Sequence, residues 1–146
     1  MLERAGERRI LIVEDEKVVA DTLGQILSAQ GYSIRVAYSA EAAIEKHNYW
    51  APDLAILDVM LPKMNGIELA VLLKDNCPNC HVLLFSGQPS VETLVEKARD
   101  EGYVFEILAK PVHPSVMLNA ISTLLCSDWV PVLRNKVTGA QRDLPN

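Results

Sequence analysis

Five residues of this chain can handle an anion or a metal ion, and each follows a short, largely apolar run. Glu14 and Asp15 follow Ile10-Leu11-Ile12-Val13, and Asp58 follows Leu54-Ala55-Ile56-Leu57. Ser86 follows Val82-Leu83-Leu84-Phe85, and Lys110 comes soon after the mixed run Val104-Phe105-Glu106-Ile107-Leu108. An acid at the end of a buried strand is placed for chemistry rather than packing. The ordinary alternative for Asp58, capping the next helix, is already open to Asn65. Three carboxylates brought together raise one another's proton affinity unless a cation joins them. Oxygen donors without clustered His or Cys favour Mg2+ or Mn2+. A metal-bound carboxylate beside an ammonium and a hydroxyl suits a phosphoryl group. Metal and Lys110 neutralise its oxygens, Ser86 donates a hydrogen bond, and Asp58 acts as nucleophile to form an aspartyl phosphate.

That chemistry requires the strand ends to share one edge, and the rest of the pattern supplies such a frame. After the first strand, Val19, Leu23, Ile26 and Leu27 follow helical spacing, with Gly31 placed to end the helix. Tyr32, Ile34, Val36 and Tyr38 alternate with Ser33, Arg35, Ala37 and Ser39, as in an edge strand. A short helix runs from Ser39 or Ala40 to His47, and Pro52 precedes the Asp58 strand. Leu69, Leu72 and Leu73 mark a helix stopped near Cys77-Pro78. Ser90 caps a helix carrying Val91, Leu94, Val95 and Ala98 and ending at Gly102. The run 104–108 carries Glu106 and reads as a second edge strand. Pro114 opens a last helix with Met117, Leu118, Ile121, Leu124 and Leu125 on its apolar face. Alternating strands and helices require parallel pairing with right-handed crossovers. The fold class is therefore α/β: a doubly wound, five-stranded parallel sheet of order 2-1-3-4-5, a flavodoxin-like three-layer sandwich.

Bulk properties bound the function. At 146 residues and 49% hydrophobic content, the chain suits one packed domain. The expected division is an N-terminal extension over 1–8, a domain over 9–126 and a C-terminal tail or linker over 127–146, where periodicity fades. Net charge is −5, and apart from Arg8-Arg9 the basic residues are scattered, which argues against direct nucleic-acid binding. No apolar run reaches the length of a membrane span or a signal-peptide core, so a cytoplasmic protein is expected. Three cysteines fit reduced thiols better than a disulfide framework.

The acidic pair Glu14-Asp15, the segment from Asp58 through Pro62 to Gly66, Ser86-Gly87 and Lys110-Pro111 together make the sequence resemble a response-regulator receiver domain of two-component signalling, over roughly Arg9 to Cys126. The resemblance implies that Asp58 accepts a phosphoryl group from a histidine kinase or phosphotransfer protein. It implies that Asp15, Asp58 and the Met60 backbone carbonyl bind magnesium, with Glu14 acting through water, and that Ser86 and Lys110 contact the phosphoryl group. The output would be a downstream protein or a C-terminal effector domain, and such domains can dimerise through the fourth helix, fifth strand and fifth helix. Two positions depart from the family pattern. Glu14 stands where Asp is frequent, and Ile107 occupies the switch position three residues before the lysine, where Tyr or Phe is usual.

Other readings carry less weight. A phosphorylation-independent scaffold of the same fold is the main alternative, and the intact Glu14, Asp15, Asp58, Ser86 and Lys110 set argues against it. Cys77-Pro78-Asn79-Cys80 has metal or redox spacing, but it straddles a helix end and a strand start, so two reduced loop thiols are expected. His47 and His113 are expected to be solvated or capping, and Met60 and Met64 to be packing residues. No Gly-x-Gly or phosphate loop points to a nucleotide enzyme.

Overall fold

The computed structural model describes residues 8–87, 91–103 and 105–126. Ten elements alternate along the chain: β1 (Arg9–Val13), α1 (Lys17–Ala29), β2 (Ser33–Ala37), α2 (Ala40–Tyr49), β3 (Leu54–Asp58), α3 (Gly66–Asn76), β4 (His81–Ser86), α4 (Val91–Asp100), β5 (Glu106–Ala109) and α5 (Pro114–Cys126). All strand pairings are parallel, in the order β2-β1-β3-β4-β5. The two strands with edge-like polarity, β2 and β5, are the edges. The central strands are apolar on both faces because both are covered, and β3 is buried at every position.

Strand alternation divides the core between the faces. Leu11, Val13, Ala55, Leu57, Val82 and Leu84 join one cluster with Ala40 and Ala43 of α2, Leu69, Ala70 and Leu73 of α3, and Val95 and Ala98 of α4. The opposite face meets α1, where a Cβ at Gly24 would contact Val36 and Ile34 side chains at 3.5 and 3.6 Å. Truncating a fully buried leucine of these strands, such as Leu57, to alanine would cost about 2–5 kcal/mol.

The helix ends follow local sequence. α1 closes in a Schellman arrangement: Gly31 has φ +99°, its N–H donates to the Ser28 carbonyl at 3.0 Å, and the Tyr32 N–H donates to the Leu27 carbonyl at 3.3 Å. Gly102 repeats the device after α4: it has φ +99°, its N–H donates to the Arg99 carbonyl at 2.9 Å, and the Tyr103 N–H donates to the Ala98 carbonyl at 2.9 Å. Ser39 caps α2 by accepting the Ala42 N–H, and the helix runs two residues past His47 to Tyr49. Asn65 and Glu68 form a reciprocal capping box at the start of α3.

α5, taken by itself, buries Met117, Ile121, Leu124 and Leu125, a stripe at helical spacing. No helix among the described residues is long and apolar enough to cross a membrane.

Several expectations need correction. The last strand is Glu106–Ala109, one residue beyond the predicted end, because the Lys110 N–H pairs with the Ser86 carbonyl and draws the ladder forward. Phe105 precedes that strand. Met60 is not a packing residue: its side chain is 55% exposed, since the backbone here turns to give its N–H to Asp58 and leaves the side chain outside. Met64 does pack against the core. His47 is half-buried rather than solvated, and its Nδ1 is buried with no hydrogen-bond partner among the described residues. His113 is exposed, as expected. The expected cap Ser90 and Val104 lie outside the described residues, as do 1–7 and 127–146.

Candidate functional site

The carboxyl ends of β1, β3 and β4, with the residue after β5, bring the predicted side chains to one edge. Parallel pairing sets this up, since Asp58 pairs with Phe85 and Ser86 pairs with Ala109. Glu14 and Asp58 are 0% and 3% exposed, Ser86 is buried, and Asp15 is exposed. Each of the three acids offers a carboxylate oxygen, and those oxygens lie within 4.8 Å of one another.

Lys110 crosses to the acids from the far side. Its Nζ donates to Asp58 Oδ2 at 3.2 Å and to Glu14 Oε1 at 3.3 Å. The ammonium also lies 4.8 Å from the centroid of the Phe85 ring, a cation–π contact that supports the lysine from below. The remaining acceptor oxygens are held by backbone: Met60 N–H donates to Asp58 Oδ1 at 3.1 Å, and Glu16 N–H donates to Glu14 Oε2 at 3.0 Å.

The electrostatics follow from burial and pairing. Burial, reinforced by the Asp58 charge, holds the Glu14 carboxyl above the usual carboxylate range, although the Glu16 N–H and Lys110 pull the other way. Burial alone would lower the proton affinity of Lys110. Asp58 and Glu14 together outweigh it, so the ammonium is held above its ordinary value. The pocket thus keeps one fixed cation among three acids.

The donor set fits a hard divalent cation. One oxygen from each of the three acids lies within 4.8 Å of the others, close enough for such an ion to be held among them directly or through water. The backbone at Met60, fixed by its bond to Asp58, lies beside them.

The loop from β3 to α3 is shaped by two backbone features. Lys63 sits in the left-handed region at φ +70°, and Gly66 approaches the end of β3 so closely that its N–H donates to the Val59 carbonyl at 2.8 Å. A Cβ at Gly66 would overlap the Asp58 carbonyl oxygen and lie 2.8 Å from the Val59 Cα. Glycine is required there by space.

The sequence reading missed the support that Phe85 gives Lys110 and the left-handed turn at Lys63. The first could have been found from the parallel register, which sets the last apolar residue of β4 beside Asp58. Cys80 is a buried thiol pushed up to about 12, chiefly by burial, which fits an inert core position rather than a redox or metal site. Ile107 is half-buried opposite Leu84 and packs against the same cluster as Phe105 and Tyr103.

Comparison with known proteins matches residues 10–122 to the response regulator receiver domain. A cyclic di-GMP phosphodiesterase of Thermotoga maritima is 31% identical over 126 residues, covering 86% of this chain and 33% of that protein. The response regulator MprA of Mycobacterium avium is 32% identical over 117 residues, covering 80% of this chain and 50% of that one. The chain thus spans half or less of the length of these relatives. Among solved structures, a CheY-like receiver domain protein from Methanospirillum hungatei superposes with a TM-score of 0.76 at 30% identity, covering 83% of this chain and 95% of that one. Family match, strand order and the acid edge agree, and the chain belongs to the response regulator receiver domains of two-component systems.

Proposed function

We propose that Asp58 is the phosphoacceptor of this receiver domain and that a sensor histidine kinase or phosphotransfer protein supplies the phosphoryl group. The observation that carries this reading is the Lys110 ammonium held 3.2 Å from Asp58 Oδ2, beside two further acids. An Asp58 oxygen attacks phosphorus, the bond from phosphorus to the donor imidazole nitrogen breaks, and the electron pair leaves with the imidazole. Lys110 neutralises the phosphoryl oxygens, and the Ser86 hydroxyl donates to one of them. The Met60 N–H orients the nucleophile by fixing one carboxylate oxygen. Asp15, Asp58 and the Met60 carbonyl would hold a magnesium ion directly, with Glu14 acting through water, and manganese could replace it. When bound, that ion supplies the charge neutralisation that three acids and one lysine lack.

The signalling unit is residues 9–126, in a cytoplasmic protein, with 1–8 as an extension and 127–146 as a tail or linker. Output passes to an effector domain or a separate protein, a reading supported by the greater length of both curated relatives. Magnesium-dependent mass gain with a small acyl phosphate tests the proposal. Asp15→Ala should abolish the magnesium dependence, and an unchanged dependence would place the metal elsewhere.

A further inference from the structure

The opposite end of the sheet carries a second charged cluster, which the aspartyl chemistry does not use. Arg9 opens β1, Arg35 lies in β2 and Trp50 follows α2. Leu11 pairs with Arg35, and Arg9 is two residues from Leu11, so both arginines project from the face that α2 covers. There both guanidiniums lie over one indole: Arg35 Cζ is 5.0 Å and Arg9 Cζ 5.6 Å from the ring centroid. Trp50 itself is only 8% exposed.

Cation–π attraction favours each contact, but it neutralises neither charge. Among the described residues neither guanidinium pairs with a carboxylate. Ion pairs among the described residues include Lys63 with Glu41 and Lys110 with Glu14 and Asp58. Asp53, the acid bonded to Arg9, accepts the backbone N–H at 2.8 Å rather than the guanidinium. In a chain of net charge −5, two guanidiniums thus share one ring, and the neighbouring Asp53 carboxylate is bonded to the Arg9 backbone.

A guanidinium stacked on an aromatic face keeps its in-plane N–H donors free, and those donors match the oxygens of carboxylates and phosphates. We propose that Arg9 and Arg35, positioned on Trp50, form a binding site for a phosphate dianion, carried by a small molecule or by a phosphorylated side chain. Two unit charges complement a group bearing about −1.5 to −2 at neutral pH better than they complement one carboxylate. Trp50 is buried, so its indole has little surface on which a nucleobase could stack.

The test uses the full chain with Trp129→Phe, which leaves Trp50 as the one remaining tryptophan of two. Inorganic phosphate is titrated with chloride adjusted to constant ionic strength, and Trp50 emission and its indole N–H resonance are followed. A saturable change, weakened at least ~10-fold by Arg35→Gln, supports the site; one that persists in Arg35→Gln, or that chloride alone reproduces, overturns it. The exposed Arg35 should tolerate this change, and far-UV circular dichroism checks the fold. A phosphoserine peptide distinguishes the sources: tighter binding than inorganic phosphate points to a phosphorylated partner, and equal binding to a small phosphate compound. Equal binding of the matching glutamate peptide and the phosphoserine peptide would overturn the phosphate assignment.

Discussion

Gly66 presses against Asp58: a Cβ at position 66 would collide with the Asp58 carbonyl oxygen. Both sides of that contact are backbone, so no flexible side chain can yield. The geometry ties the start of α3 to the end of the strand that carries Asp58. Gly66→Ala should therefore destabilise the domain by about 1–3 kcal/mol, the usual range for forced overpacking. Urea unfolding checks this, and an unchanged midpoint would mean that the loop relaxes freely.

Lys110 donates to both Glu14 and Asp58. Removing it leaves the three acids with less positive compensation, which favours a divalent cation. Lys110→Ala should bind magnesium as well as the wild type or a few-fold more tightly, while phosphorylation falters. Calorimetric titration provides the reading, and markedly weaker binding would contradict the electrostatic account.

Glu14 tests the cost of burial. Its folded-state pKa lies above the ordinary 4.5, so the folded state holds a proton that the unfolded chain has already lost. Its contribution to stability is favourable at low pH and fades as pH rises from about 4.5 through the folded-state value. In chelator, Glu14→Gln should be more stable than wild type at neutral pH, and the advantage should shrink on acidification. Thermal melts across that range decide, and a variant less stable at neutral pH would reverse the sign.

Much of this was legible in the chain. The unbroken apolar runs ending in Glu14, Asp58 and Ser86 specify buried parallel strands, and the alternation from Tyr32 to Tyr38 specifies an edge. The glycines at 31 and 102 mark helix ends because only a left-handed residue completes the local bonds. What the sequence hid depends on contacts between distant elements. Met60 looked like a core residue until its N–H was seen bound to Asp58. The ring of Phe85 beneath Lys110 follows from strand register, and the meeting of Arg9, Arg35 and Trp50 depends on where α2 ends.

Ile107 bears on how phosphorylation would be transmitted. Phe105 is buried, its ring stacks on Tyr103 with centroids 6.2 Å apart, and the Tyr103 hydroxyl donates to Asp75 Oδ1 at 2.7 Å. That pair is anchored, and the β-branched Ile107 has restricted rotamers. With a phosphoryl mimic, amide resonances at Ser86, Gly87 and the start of α4 should shift strongly, while Tyr103 and Phe105 stay nearly still. A rotamer change at Phe105 as large as the movement at Ser86 would contradict this.

The central claim is that Asp58 alone accepts the phosphoryl group, and intact-mass spectrometry after incubation with acetyl phosphate and magnesium tests it most directly. Wild type should gain the mass of one phosphoryl group, and Asp58→Asn should gain none. An Asp58→Asn protein that is phosphorylated as fully as wild type would contradict the account.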